Sequence, residues 1–526
     1  MVGRFDETPF DQTYDVIVVG YGFAGATAAI EAARSGAKVL VLEKAPDPGG
    51  ISICSQGAIC CSAEPDEAFA YLKATNAGRI PDEVLRTIAN GMAQAEGFIR
   101  EVAETSGAEI TTRPRGGNYP FPHRETFYYT HVDAVPNFDA HAFFPQVKGR
   151  VGGPYLFRTL QMKIDTLDIE VKLSSPAKRL IYTAAREVRG VIAETPEGLR
   201  HFGARRGVIL ASGGFEANER MKQEYWQLMP VLTAANRYNT GDGIRMAQEV
   251  GADLWHMWHF HGSYGFRHPE PEKYPYGIRM KRFPDWVPGD AEADMVGADM
   301  VKVPVAWILV NRDGRRFMNE QPPYLQDTGA RPFEDMDTVK QRFRNIPAWM
   351  ICDEDGRKLY PLGNPAYNDR GVDFEWSADN MKEVEMGILK RADTLDELAG
   401  VIGVPADALK ETVARWNEMT GARDDDEYGR PAGSMVPIAT PPFYAGEIWP
   451  VVSNTQGGPV HDGRQRIVDV HGDPIPRLYA AGEMGSCFGH LYLAGGNIAE
   501  CLISGWTAGR GAAAETPVTE NAEAAE

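Results

Sequence analysis

The chain has 526 residues, 43% of them hydrophobic, enough for more than one core, since single cores stop growing near about 250–300 residues. Its 73 acidic against 54 basic residues give a formal charge of −19, which repels nucleic acid and anionic membranes. Six cysteines (Cys54, Cys60, Cys61, Cys352, Cys487, Cys501) are too sparse for a disulfide scaffold, and no CxxC pair suggests zinc or an iron–sulfur cluster, so they read as reduced thiols.

The opening MVGRFDETPFDQTYD has no apolar stretch of leader length, and no run of 18 apolar residues follows, so the expectation is a cytoplasmic chain without a membrane span. From Tyr14, YDVIVVGYGFAGATAAIEAARSGAKVLVLEK begins with a continuous apolar run, Val16 to Val19, that predicts a strand buried on both faces. Gly20 permits a tight turn, Gly22 lets the backbone approach a pyrophosphate, and Gly25 lets the helix AGATAAIEAARSG lie close on the sheet. The second predicted strand, KVLVLE, ends in Glu43, where a carboxylate can accept both hydroxyls of an adenosine ribose. Strand, glycines, helix, strand and acid in this order point to a dinucleotide, and at this point FAD and NAD both fit.

After Glu43, APDPGGISICSQGAI supplies Gly49, Gly50 and Gly57 in a loop able to wrap a larger cofactor. RGVILASGGFEAN is another apolar strand, ending in Gly213 and Gly214, and NTGDGIRMAQEVGAD sets Gly241, Asp242 and Gly243 before a helix. VPVAWILVN predicts a strand, PADALKETVARWNEMTG a helix with Leu409, Val413 and Trp416 on one face, and ARDDDEYGRPAGS a solvated loop without EF-hand spacing. LWHMWHFHG carries His256, His259 and His261 without a recognisable zinc partner, so packing, a hinge or a substrate contact stay open for them. The aromatic loop RGGNYPFPHRETFYYTH could line an apolar pocket or lie on the surface, and the acidic tail TPVTENAEAAE predicts a disordered end.

Taken together, GYGFAG with Glu43, SQGAI, ILASGGFEAN, TGDGIRMAQEVGAD, ILVNRDGRRFMNE and LYAAGE resemble the fumarate reductase and succinate dehydrogenase flavoprotein superfamily over nearly the whole chain. The resemblance implies an α/β fold: a Rossmann-like FAD-binding domain, residues 1–254 and 441–526, with an inserted α+β capping domain, residues 255–440. It implies FAD contacts from Gly20, Gly22, Gly25, Glu43, Lys44, Gly49, Gly50, Gly57, Ala177, Gly213, Gly241, Asp242, Gly482, Glu483, Asn497 and Ile498, with Glu483 near the ribityl chain. GGISICSQGA has no histidine of the kind to which some relatives attach FAD, so the expected cofactor is non-covalent FAD, with no metal.

Where fumarate reductases place a substrate histidine, an arginine before an LGGN-like sequence and an arginine after the Asn-Glu pair, this chain has Asn454, Leu493 and, in the last neighbourhood, Tyr324. Buried carboxylates without fixed cations cost several kcal/mol each, which disfavours a dicarboxylate. The pattern instead resembles the 3-ketosteroid dehydrogenases, which implies that Tyr492 and the Gly496 N–H hold a ketone oxygen while Tyr324 takes or gives a proton. The expected substrate is a small apolar carbonyl compound, and electrons pass to or from a separate acceptor or donor. A fumarate-like enzyme for small unsaturated acids, and an electron-transfer subunit without its own substrate, remain as alternatives.

Overall fold

The computed structural model describes residues 9–149, 151–281 and 303–518; the expected disordered tail lies, from residue 519 onward, outside the described residues. The chain divides into two compact units, one of residues 1–225, 236–260 and 454–526, the other of residues 226–235 and 261–453.

The first unit is built on a mainly parallel sheet. Its central strand β1 (Gln12–Val19) is followed by helix α1 (Phe23–Arg34) and strand β2 (Val39–Leu42), as the apolar runs and glycines predict. Across the sheet the order is Arg466–Val468, Pro474–Ala480, Gly198–Leu210, β1, β2 and Ile169–Lys172. Both faces of β1 are covered from Val16 to Val19, which is why this run is continuously apolar rather than alternating. The register aligns Val19 with Leu42 on one side and Leu210 on the other, and Leu210 with Ala480. Four parallel strands therefore end level, and the next residues in each chain are Gly20, Glu43, Ala211 and Ala481.

The C-terminal helix Gly496–Ala514 packs on α1 through two glycines: a Cβ on Gly505 would lie 2.7 Å from Ala24 O, and one on Gly509 would lie 2.4 Å from Ala28 O. Without side chains there, the two helix backbones approach closely.

The second unit contains its own sheet, in the order Ile308–Val310, Ala348–Cys352, Phe443–Thr455, Phe260–Arg267, Gly277–Met280 and Gly363–Asn364, with its two outermost strands at each end antiparallel to their neighbours. Helices Leu395–Ile402 and Ala406–Ala422 cover Ile308, Val310, Ile351 and Ala445; the predicted face Leu409, Val413 and Trp416 is the buried one. The predicted strand VPVAWILVN narrows to Ile308–Val310, because the residues before it pair with other groups: Val305 N–H donates to Ser434 O and Ala306 N–H to the Tyr360 hydroxyl. ARDDDEYGRPAGS is only partly solvated: Asp425 and Arg430 are buried, joining Arg316 and Glu320. No helix among the described residues is long and apolar enough to cross a membrane.

Candidate functional site

Each level strand end leads into one of the sequence motifs, so the fold gathers them on the carboxyl edge of the sheet, where open α/β sheets bind ligands. Gly20 has φ +108°, and a Cβ there would stand 2.3 Å from Ala211 O; a Cβ on Gly25 would stand 2.0 Å from Gly20 O. Only glycine permits this turn and this helix approach. Gly22 caps α1 without a side-chain bond, while the Phe23 N–H donates to Ser52 Oγ at 3.1 Å. The serine belongs to the loop with Gly49 and Gly50, both at positive φ; Gly49 donates to Tyr21 O at 2.8 Å. Gly57 lies against Gly152, where a Cβ would approach within 2.4 Å.

Glu43 is buried, with its carboxylate accepting from the Tyr21 N–H at 2.8 Å and the Ala45 N–H at 2.7 Å. Burial raises its pKa and these two N–H groups oppose the rise, so the acid is oriented by backbone on both sides. Ser175 N–H donates to Glu43 O at 2.8 Å, which sets the strand Ala177–Tyr182, beginning at Ala177, close to the same end of β2. Lys44 pairs with Asp242 at 2.7 Å and donates to Thr240 Oγ1 at 2.6 Å, tying β2 to the helix Asp242–Glu249, which Gly241 caps at φ +73°. These two predicted contacts are thus engaged with each other.

Beyond Gly213, a Cβ on Gly214 would fall 2.4 Å from Glu483 Oε1. Glu483 accepts from the Thr455 N–H at 2.8 Å, and burial pushes its pKa up to about 7. Glu216 is fully buried too, accepts from Asn239 Nδ2 at 2.7 Å, and has its pKa raised well above the carboxylate range by burial and by the Glu483 charge. Burial thus disfavours the charged form of both carboxyl groups. GGFEAN displays Glu216 in the sequence, but nothing there says that Glu483, in the turn after the strand Pro474–Ala480, will lie near it.

The C-terminal segment forms the second part of this unit. Tyr492 is 5% exposed, its ring edge-on to Phe488 at 5.1 Å, and its phenol oxygen accepts from the Asn497 N–H at 3.4 Å. That N–H belongs to the first turn of the C-terminal helix, which also carries Ile498. The Gly496 N–H donates to Leu493 O at 2.8 Å. Asn497 pairs side chain to side chain with Gln456, 3.1 Å in both directions, and donates to Glu500 at 3.2 Å. Asn118, from the aromatic loop, accepts from the Ala494 N–H at 2.8 Å. That loop therefore helps hold the tyrosine's own segment.

His256 and His259 also act on this segment. His256 Nε2 faces Ser486 O at 2.8 Å and Gln456 O at 3.1 Å; two acceptors require a hydrogen on that nitrogen. Burial pushes its pKa down to about 3, so it is a neutral donor. His259 Nδ1 donates to Phe488 O at 2.7 Å. Both imidazoles fix the turn before Tyr492. Among the described residues no group of three or more His, Cys, Asp or Glu is placed to hold a metal ion.

In the second unit, Tyr324 precedes the short helix Leu325–Thr328, and its hydroxyl lies 3.4 Å from His261 Nε2 and 3.3 Å from Gln326 Oε1. The two rings stack with centroids 5.9 Å apart. The Asn-Glu pair before it is explained by packing: Glu320 is buried between Arg316, 2.9 Å, and Arg430, 3.3 Å.

The glycine turn, the start of α1 without a side-chain cap on Gly22, and the backbone-held Glu43 fit the ADP half of a flavin dinucleotide. The sequence matches the model of the FAD binding domain family over residues 15–268 and 297–498. The chain belongs to this family. The FAD-binding chain is 28% identical to the 3-oxosteroid 1-dehydrogenase of Mycolicibacterium smegmatis, over 94% of this chain and 96% of that one. It is 25% identical to a probable fumarate reductase of Shewanella frigidimarina, over 95% of this chain and 75% of the relative. Among solved structures, the 3-ketosteroid Δ1-dehydrogenase of Sterolibacterium denitrificans in complex with 1,4-androstadiene-3,17-dione superposes with a TM-score of 0.79 at 23% identity, covering 96% of this chain and all of that one, a likeness of fold.

Proposed function

We propose that this protein is an FAD-dependent oxidoreductase that dehydrogenates, or in reverse reduces, the C–C bond α,β to a carbonyl in an apolar substrate, with a 3-ketosteroid as first candidate. The observation that carries the reading is Tyr492: a buried phenol whose oxygen accepts an N–H from the start of the C-terminal helix, which polarises its O–H as a donor. Gly20, Gly22, Gly25, Glu43 and Glu483 would hold FAD, which would supply two-electron acceptance or donation.

Tyr492 donates to the carbonyl oxygen, where negative charge builds as the α proton leaves. The Gly496 N–H assists as a shared donor, since it also serves Leu493 O. A pair of donors aimed at a developing oxyanion stabilises it by a few kcal/mol. Tyr324 takes the α proton in dehydrogenation and returns it in reduction. Electrons go to or come from a separate partner. The loop Gly49–Gly57 carries no histidine, and FAD is held without a covalent link.

The mycobacterial-type steroid dehydrogenase supports this substrate class by its activity. The relative named as a fumarate reductase supports a second reading on small unsaturated acids, but Leu493, buried at 3% exposure, stands where such enzymes clamp a carboxylate, and a desolvated dianion there would lack its cation. The test is anaerobic turnover of the purified flavoprotein with 4-androstene-3,17-dione and with fumarate. Turnover of the steroid, falling by about 10²–10³-fold in Tyr492→Phe, is the expected result; turnover of fumarate alone overturns it.

A further inference from the structure

Tyr324 raises a chemical difficulty under the function proposed above: a phenol with a pKa near about 10 is a poor base at neutral pH unless something takes its proton. The structure supplies an acceptor. His261 stands at the second position of the strand Phe260–Arg267, is 9% exposed, and directs Nε2 at the Tyr324 hydroxyl, 3.4 Å away, with its ring stacked at 29° to the phenol ring. Stacking and burial leave the imidazole little freedom to turn away. At that nitrogen it meets a side chain that can transfer a proton.

We propose that His261 is the proton-relay partner of Tyr324, so that phenol and imidazole work as one base. Its Nε2 accepts the Tyr324 proton while the phenol oxygen accepts the α proton of the substrate. One C–H bond breaks and one O–H bond forms; one O–H bond breaks and one N–H bond forms. The electron pair of the broken C–H bond stays with the substrate as an enolate. The step requires the Nδ1–H tautomer, with Nε2 bare and the hydroxyl donating to it rather than to Gln326. Of the charged groups on the adjoining elements, Asp327, beyond Tyr324 in its helix, is buried and lies 3.9 Å from Arg331, and Arg279 on the neighbouring strand reaches Ser453 Oγ at 3.4 Å. His261 acts through the tyrosine and is a positioning residue.

The inference rests on the proposed function, and the experiment separates the two. The FAD-loaded enzyme and its Tyr324→Phe, His261→Gln and His261→Asn variants are compared in kcat/KM against pH with 4-androstene-3,17-dione, and the His261 ring is examined by ¹⁵N NMR in histidine-labelled protein. The expected profile has an acid limb near the imidazole range, about 6.5, which moves by about 3 units toward the phenol value in both histidine variants, with about 10²-fold lost at neutral pH and regained in alkali. NMR is expected to find Nε2 unprotonated, and to lose that signature's coupling to the phenol in Tyr324→Phe. A Tyr324→Phe enzyme that turns over like wild type overturns the functional reading of Tyr324 and the relay with it. An inactive Tyr324→Phe enzyme beside histidine variants with an unmoved acid limb, or an Nε2–H tautomer in the wild type, overturns the relay alone.

Discussion

Glu500 lies under the Tyr492 segment and lends itself to a quantitative test. It is 2% exposed and accepts from the Cys487 N–H at 2.6 Å, Ser486 Oγ at 2.7 Å and Asn497 Nδ2 at 3.2 Å. Burial pushes its pKa up to about 7, with those donors opposing the rise. A folded-state value above the unfolded carboxylate value, about 4.3, means that the native state binds the extra proton between the two. Stability therefore increases as pH falls through about 7 and levels off below the unfolded value. Each unit of pH inside that window is worth about 1.4 kcal/mol, so moving from about pH 8.5 to about pH 5.5 adds about 2 kcal/mol from this one group. His256, pushed down to about 3, works in the opposite sense below about 6.5, and Glu483 in the same sense. The difference between wild type and Glu500→Gln isolates the acid. The variant leaves at least one of three donors without an acceptor, at about 1–3 kcal/mol. Urea unfolding of both proteins at one fixed excess of FAD is expected to show the gap widening by about 2 kcal/mol at the lower pH. A variant with the full wild-type pH slope refutes the assignment.

Gly509→Val places a branched side chain where a single Cβ already falls 2.4 Å from Ala28 O, so at least about 3 kcal/mol should be lost, together with FAD retention, measured by thermal unfolding and flavin content after gel filtration. Glu320→Gln leaves Arg316 and Arg430, both buried, short of their shared anion; about 3–5 kcal/mol of destabilisation is expected, read as faster proteolysis of residues 261–453 than of the flavin-binding unit. Acid precipitation should release all of the yellow cofactor into the supernatant, and flavin remaining in the pellet would contradict non-covalent binding.

Local features with one physical meaning were legible in the sequence by itself. A run of apolar residues ending in Gly20, Gly22 and Gly25, then a second strand ending in Glu43, admits few conformations, because the turn and the helix approach exclude any Cβ. The apolar face of Ala406–Ala422 was readable for the same reason of period. Groups whose partners lie far along the chain were not. Glu216 acquires its character from burial and from Glu483, Ala494 its acceptor from Asn118, and Tyr324 its neighbour from His261, 63 residues before it. Sequence supplied the side chains that could carry chemistry; the sheet register and the helix packing decided which of them meet, since a hydrogen bond depends on tenths of an ångström that no spacing along the chain specifies.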